Sequence, residues 1–578
     1  MEAQATPLAA AGAAATARGG RPVWQSRLLE IVSRRATLRL WYAFVIGFFM
    51  VLVLLPTLYV LGYVVSGWQV IQDVVLTDPA LLDPIGPALF LSFGVAITVA
   101  AIDLVAGLPL AWLLVRYEFR GKDWLNTLID SPLAVTTAGL GFSVVLFWGI
   151  PFDPIAKPLG ALGITADPFL MLMFLHLTTT FPYMVRSLAA ILEEIEIEYE
   201  NAARAAGASR LTAVRTITLP MFRAGMATGL ILVIAKALSD TGGAFLALSL
   251  VNDPSRPVWN GTALINDWKN QVSGNPALAH LNQALALVSA LMIILSLVLL
   301  VALKYLTLKV HIPLRRVWPS WERRLSQGAP PTVKNVAAFV FLGLMILLPS
   351  FFFLLYVFVG RPTVATDWGR FGSAVGVSFL VGGIATAIDL AVGVPMALFI
   401  TRGRLRRLGQ ALDALVNVPY IVPSAALGIS LALFWGAQRW IIPSDLVLVI
   451  LAHVAFTFPF VVRNVVGALE QLDPALEETA RTLGAKPIQA FRRVTFASVR
   501  PAILAGSIMA FTRSVGETGA TVSVVGNRIE TVPVLIVNLI RDQKDYYSAA
   551  IAQIALLVVS FAVILGVRYA VRGRRSHG

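Results

Sequence analysis

Two short runs place ionisable side chains where an apolar chain tolerates them least. Lys236-Ala-Leu-Ser-Asp240-Thr241-Gly-Gly and Arg513-Ser-Val-Gly-Glu517-Thr518-Gly-Ala share one pattern. A cation comes first, an anion follows four residues later, and a hydroxyl and small residues come next. Residues four apart on a helix stand on one face, about one turn from each other. A charge in the bilayer interior is costly, so such residues usually face a bundle interior or water. The spacing allows two readings: a self-neutralised pair that stiffens its helix, or a polar stripe lining a solute pathway. On the second reading, Thr521 and Ser523 add hydroxyls, while Gly242, Gly243, Gly516 and Gly519 let helices pack closely or bend.

Other chemistry is poorly served. The chain has no cysteine, which excludes thiolate and disulfide chemistry. Its five histidines are scattered, with no H-E-x-x-H spacing, and no G-x-x-x-x-G-K-[ST] loop is present. No nucleophile, base and orienting group recur at a plausible spacing. We therefore expect no catalytic residue, no metal site and no cofactor bound by this chain. Asp103 and Asp389, each followed by Gly and Pro, read as local pairings near a kink rather than substrate ligands. His176 and His453, in long apolar segments, read as satisfied core histidines.

The elements that carry these residues are membrane spans. Of 578 residues, 57% are hydrophobic and 13% charged, with mean hydropathy +0.77, whereas soluble domains carry about 25% charged residues. A helix needs about 20 apolar residues to cross the hydrocarbon core. Twelve segments qualify, near 40–65, 87–115, 127–150, 167–187, 224–250, 281–303, 335–359, 373–400, 411–437, 444–462, 501–526 and 546–567. The expected fold is an all-α membrane protein. The net charge of +14 orients it in a lipid bilayer and does not call for a nucleic-acid partner. With both ends inside, few of the 46 basic residues fall in outside loops: Lys157, Arg256, Lys269, Arg361, Arg370, Arg439, Arg528, Arg541 and Lys544. That asymmetry places both termini in the cytoplasm. Residues 1–38 have no strongly apolar core before a small-residue cleavage site, and read as a disordered basic tail rather than a cleaved signal peptide.

The twelve spans form an internal repeat. Asp103-Leu-x-x-Gly107-x-Pro109 recurs as Asp389-Leu-x-x-Gly393-x-Pro395, and Leu146-Phe-Trp-Gly149 as Leu433-Phe-Trp-Gly436. Phe181-Pro182-x-x-Val185-Arg186 recurs as Phe458-Pro459-x-x-Val462-Arg463. Six spans is an even number, so the halves run parallel about an axis along the membrane normal. The boundaries follow: a first half at 39–303, a linker at 304–334, a second half at 335–569 and a tail at 570–578.

Before each charged fifth span lies a polar island. The first reads Tyr199-Glu200-Asn201-Ala202-Ala203-Arg204-Ala-Ala-Gly207-Ala-Ser209, then Ile217-Thr-Leu-Pro220; the second reads Leu476-Glu477-Glu478-Thr-Ala480-Arg-Thr-Leu-Gly484. Glu198, Glu200 and Arg204 give the first a polar face. Alanines favour helix, and Gly207 or Gly484 suits a left-handed C-terminal turn. Ser209 can cap a second helix running to Pro220, and Asp473 can cap the other docking helix. This pattern resembles the cytoplasmic loop of ABC importer permeases, written E-A-A, three residues, G, nine residues, I-x-L-P. It departs at Asn201, where the family has Glu, and at Phe496-Ala497, where Leu-Pro is usual.

The resemblance implies a type I importer permease fold of two parallel six-helix repeats in the cell inner membrane. It implies that the coupling residues Glu200, Asn201, Ala202, Ala203, Gly207, Glu477, Glu478, Ala480 and Gly484 seat in two ATPase subunits that hold ATP and Mg. It also implies an extracytoplasmic substrate-binding protein as partner and alternating access as mechanism. The pathway candidates are Lys236, Asp240, Thr241, Arg513, Glu517 and Thr518. The Arg-Ser-x-Gly-Glu-x-Gly-Ala run resembles permeases for oxyanions such as molybdate, tungstate or sulfate. The fusion of two halves resembles ferric-iron and thiamine importers instead, so the cargo stays open between an oxyanion and ferric iron. Polyamine or another small organic solute, and an ion-gradient-driven secondary transporter, are the remaining alternatives.

Overall fold

A computed structural model describes residues 35–149, 167–253, 255–309, 319–326, 329–360, 365–403, 405–436 and 444–573, with the single residues 362 and 442. Most of the 1–38 tail, the middle of the 304–334 linker and the end of the 570–578 tail lie outside the described residues. The described residues form helices and no strand.

Among the described residues, nine helices are long and apolar enough to cross a membrane, or up to twelve if each of three bent helix pairs counts as one span. In the first half these are α1 (Arg39–Ser66), α2 (Pro79–Arg116), α3 (Thr137–Trp148, preceded by an elbow over Lys122–Ala134) and α4 (Pro168–Glu194). Then come α5 (Leu219–Ser239), α6 (Gly242–Val251), α7 (Gly261–Gly274) and α8 (Leu281–Tyr305). The second half repeats them as α9 (Pro331–Val359), α10 (Trp368–Arg402), α11 (Ser424–Gly436, elbow Arg406–Ile421), α12 (Asp445–Gln471), α13 (Phe496–Val515), α14 (Gly519–Val525), α15 (Val532–Arg541) and α16 (Tyr546–Val563).

Two expected spans turn by about a right angle. The segment near 127–150 bends by 103° between its elbow and α3, and that near 411–437 by 104°. The first corner is made by Val135 and Thr136, both extended, and the second by Val422, which is extended ahead of Pro423, since a proline disfavours helix in the residue before it. Each elbow is fastened by an arginine of the neighbouring helix. Arg186 on α4 reaches Asp130 at 2.6 Å and Asn126, and Arg463 on α12 reaches Asp413 at 2.6 Å and Asn417.

Within each half, a buried carboxylate staples two helices. Thr180 donates to Asp103 at 2.6 Å, joining α4 to α2; Thr457 donates to Asp389 at 2.5 Å, joining α12 to α10. The first helix of each half is exchanged. α1 packs on α10, α11 and α12, and α9 packs on α2, α3 and α4. Ser430 accepts from the Val60 N–H at 2.9 Å and donates to the Pro56 carbonyl, while Ser143 accepts from the Phe353 N–H at 3.2 Å. Phe49 stacks on Phe458, and Phe341 meets Phe181. The sequence repeat at 39–303 and 335–569 is therefore not a division in space: each first helix lies against the other half.

Candidate functional site

The charged fifth spans are broken. The continuous segments expected at 224–250 and 501–526 stop at Asp240–Thr241 and at Gly516–Thr518, and short helices α6 and α14 restart beyond each break. Each restarted helix is held by glycine-tight contact with the third helix. A Cβ on Gly141 would lie 2.4 Å from the Gly243 carbonyl oxygen, and one on Gly428 would lie 2.6 Å from Ser523 Cβ. Small residues let backbones approach this closely in a membrane bundle.

The two breaks meet across the pseudo-two-fold axis. A Cβ on Gly519 would strike Thr241 at 2.3 Å, and one on Gly242 would strike Thr518 at 2.5 Å. Thr241 and Ser424 share a hydrogen bond at 2.9 Å, and Ser424 also donates to the Ser239 carbonyl at 3.0 Å. Asp240, Thr241, Glu517 and Thr518 are all buried at this crossing. None of the four lines the cavity described next.

Three chambers that share walls run from the crossing toward the docking-loop side, with volumes of about 670, 200 and 20 Å³. The outermost is bounded by Asp130, Arg186 and Ser187, at the end of the molecule that holds the docking loops. The inner two are bounded by Lys236 and Arg513 together, one cation from each half, with Thr136, Thr137, Tyr183, Tyr420, Phe460, Thr512 and Ser424. Of the six pathway candidates, Lys236 and Arg513 face this space. Thr521 and Ser523 do not: Thr521 bonds His453 at 2.9 Å and Ser523 donates to Asn266 at 2.6 Å.

The two charge pairs differ. Arg513 meets Glu517 at 2.5 Å and stacks over Phe456 at 5.2 Å. Glu517 also accepts from the Ala520 N–H at 3.0 Å and so caps α14. Lys236 forms no ion pair among the described residues, although Asp240 is one turn away; the Asp240 carboxylate lies instead beside Gly243, whose added Cβ would meet it at 3.1 Å. Both Asp240 carboxylate oxygens are buried without a hydrogen-bond partner. The cavity wall therefore holds one cation in direct contact with a carboxylate and one, Lys236, that feels the Asp240 and Glu517 carboxylates without contacting either. His176 and His453 are buried, His453 between Ser514 and Thr521, and His176 on the Leu172 carbonyl.

The docking stretches fold alike. Helices Ile197–Ala205 and Ala475–Thr482 end at Gly207 (φ +93°) and Gly484 (φ +89°). The next N–H bonds back to the Ala203 or Ala480 carbonyl at 3.1 and 3.0 Å, a left-handed turn that glycine adopts without penalty. Ser209 caps the following turn through Thr212 N–H. That second helix does not stop at Pro220: a π-helical stretch, Val214–Thr218, carries it into α5, and Phe491–Thr495 does the same before α13. These stretches turn Thr218 and Thr495 toward the docking helices, where they donate to Glu200 at 2.8 Å and Glu477 at 2.6 Å. Glu200 is buried and also meets Arg116 at 3.3 Å. Glu200 and Glu477 thus hold the loops together from inside. Asn201, Ala202, Gly207, Glu478 and Gly484 are exposed, Ala203 and Ala480 half-buried. Beside them Leu483 stands 84% exposed, an apolar side chain in contact with nothing that covers it.

Comparison with known proteins places this architecture. The sequence profile for "Binding-protein-dependent transport system inner membrane component" matches twice, over residues 103–311 and 390–576. The chain belongs to that family. Both matches contain a docking loop and a broken fifth span, so the chain is a type I ABC importer permease with its two halves in one polypeptide. Among similar proteins, the sulfate transport system permease protein CysT of Salmonella typhimurium is 37% identical over 207 residues, 33% of this chain and 73% of that protein. The molybdenum transport system permease protein ModB of Mycobacterium tuberculosis is 32% identical over 235 residues, 36% of this chain and 89% of that protein. Family membership sets aside the ion-gradient-driven alternative.

The sequence reading missed the cavity residues Thr136, Thr137, Tyr183, Tyr420 and Thr512. Thr136-Thr137 had a usable signal, as the polar pair after a proline in an otherwise apolar span. Tyr183 lies beside the repeated Phe-Pro step at 181–182.

Proposed function

We propose that this permease carries a small oxyanion of the sulfate or molybdate class, driven by ATP and delivered by an extracytoplasmic binding protein. The observation that carries the reading is the joint presence of Lys236 and Arg513 on one cavity, with Lys236 in no contact ion pair among the described residues. A cationic wall attracts an anion and repels ferric iron or protonated thiamine, and near such walls charge complementarity governs which solute enters. Hydroxyls of Thr137 and Tyr183 supply further donors. The names of the sulfate and molybdenum permeases above point the same way. On this reading the exposed docking loops seat in two ATPase subunits, the termini lie in the cytoplasm, and closure of the ATPases rocks the halves so that the cavity opens outward. On the same reading the cavity, which ends below the Thr241–Thr518 crossing, opens toward the cytoplasm.

The test is uptake of radiolabelled sulfate and molybdate by cells producing the permease with its ATPase and binding protein. Lys236→Met should lower uptake at least tenfold at unchanged membrane abundance, because desolvating an anion without its counter-charge costs several kcal/mol. Preference for ferric iron, or full oxyanion uptake by the variant, would overturn the assignment. Leu483→Asp should weaken co-purification of the ATPase; an unaltered complex would remove the docking role from that loop.

A further inference from the structure

A separate cavity of about 430 Å³ lies off the central axis. It sits between the end of α2, the first docking helix, and the linker helix Pro319–Ser326 with the head of α9. Its floor is apolar and belongs to a membrane-length helix, through Leu108, Pro109 and Trp112. Its rim carries four cations, Arg116, Arg204, Arg210 and Lys334, against one carboxylate, Glu200. Glu200 is already engaged by Arg116 and Thr218. Arg204, Arg210 and Lys334 are exposed and form no ion pair among the described residues. The Arg116 side chain is 9% exposed, and its Nε is buried without a hydrogen-bond partner.

The linker closes this cavity. Glu322 accepts from Thr212 at 2.5 Å and meets Arg215 at 2.8 Å, which seats the linker helix on the turn after the docking helix. Among the described residues the second half has no equivalent. Arg402 donates to the Leu472 carbonyl at 3.0 Å as Arg116 does to that of Ile195 at 2.9 Å. However, Pro487 stands where Arg210 does, and no described helix covers that side.

We propose that this cavity is a seat for one acidic phospholipid. The phosphate diester lies in the cationic rim and the head of an acyl chain runs over Leu108 and Trp112. Basic pockets between membrane helices hold acidic headgroups in this way, and a tryptophan in the floor, one turn from the rim cation Arg116, suits the interfacial level. A free phosphate ester shares the rim chemistry but has no use for an apolar floor, and a zwitterionic lipid fits the floor but brings no net charge.

Native mass spectrometry of the purified full chain in detergent tests this, with phosphatidylglycerol, phosphatidylcholine and glycerol phosphate titrated separately. One phosphatidylglycerol per chain should be retained about tenfold more tightly than phosphatidylcholine, and glycerol phosphate should not be retained. Arg210→Gln with Lys334→Gln should lower that retention roughly tenfold or more, while Arg481→Gln, at the second-half counterpart of the rim residue Arg204, should not. If the double variant does not elute as a single species, Lys334→Gln alone should still lower retention about threefold. Equal retention of the two lipids, no effect of the substitutions, or glycerol phosphate binding as tightly as phosphatidylglycerol would each overturn the proposal.

Discussion

Alanine at Gly141 is the sharpest probe of the central crossing. The added Cβ would meet three backbone atoms of Gly243, its oxygen at 2.4 Å, Cα at 2.8 Å and carbonyl carbon at 2.9 Å. Ordinary contact begins at 3.4 Å, so α3 and α6 must part by about 1 Å. No side chain can rotate to relieve the clash. Overpacking of this kind costs about 1–3 kcal/mol, and a backbone collision belongs at the upper end. Glycine to alanine in a helix returns about 1 kcal/mol, leaving a net destabilisation of about 2 kcal/mol. Gly467 on α12 is the matched control, since its Cβ would meet nothing within 4 Å, and alanine there should stabilise by up to about 1 kcal/mol. The same chemical change is thus expected to have opposite signs at two helical glycines. Thermal denaturation of the purified protein, followed by intrinsic fluorescence, reads the sign directly, and uptake should fall for Gly141→Ala only. Shifts of the same sign and size for both variants would refute the crossing geometry.

Two further perturbations probe the periphery. Glu322→Ala leaves Arg215 without the carboxylate that it meets at 2.8 Å; breaking a buried pair costs about 3–5 kcal/mol, so the linker helix should become sensitive to limited proteolysis, and unchanged resistance would contradict its docking on the first loop. Burial alone would raise the Glu530 carboxyl, yet hydrogen bonds from Arg370 and Asn538 hold it below the ordinary glutamate value. Its contribution to stability is therefore present at neutral pH and is lost as pH falls through the lowered value, on the acid side of the ordinary glutamate range. The difference in thermal midpoint between the parent and Glu530→Gln should be largest near neutrality and vanish in acid; a difference that does not vary with pH would refute it.

Much of this architecture is legible in the sequence because the chain says it twice. The paired Asp-Leu-x-x-Gly-x-Pro and Phe-Pro-x-x-Val-Arg motifs marked α2, α4 and their counterparts, and in the structure those motifs supply the Asp–Thr staples and the arginines that hold the elbows. The breaks at Asp240 and Glu517 were hidden because hydropathy runs through them: α6 is as apolar as the helix it leaves. The burial of Glu200 was hidden for a related reason. A helical wheel of Ile197–Ala205 puts it on a polar face, whereas the π-helical stretch at 214–218 brings Thr218 over it, and no residue pattern announces such a stretch. The exchange of α1 and α9 has no local signature at all, since an apolar helix carries the same hydropathy whichever half it touches.

That exchange bears on how the molecule is made. α1 is synthesised early, but the serine that meets its backbone lies 370 residues further along the chain. Hydrocarbon tails are as apolar as leucine, so a waiting helix incurs no hydrophobic penalty in lipid. The polypeptide can therefore be inserted span by span and left open, like an unfastened clasp. Closure comes only when α10, α11 and α12 arrive, and contacts so distant in sequence make that a late and slow step. A nascent chain halted in the linker would present an intact first docking loop on a body whose grooves for α9 are empty. Quality control that recognises an unfilled intramembrane groove could then distinguish half a transporter from a whole one before any ATPase is engaged.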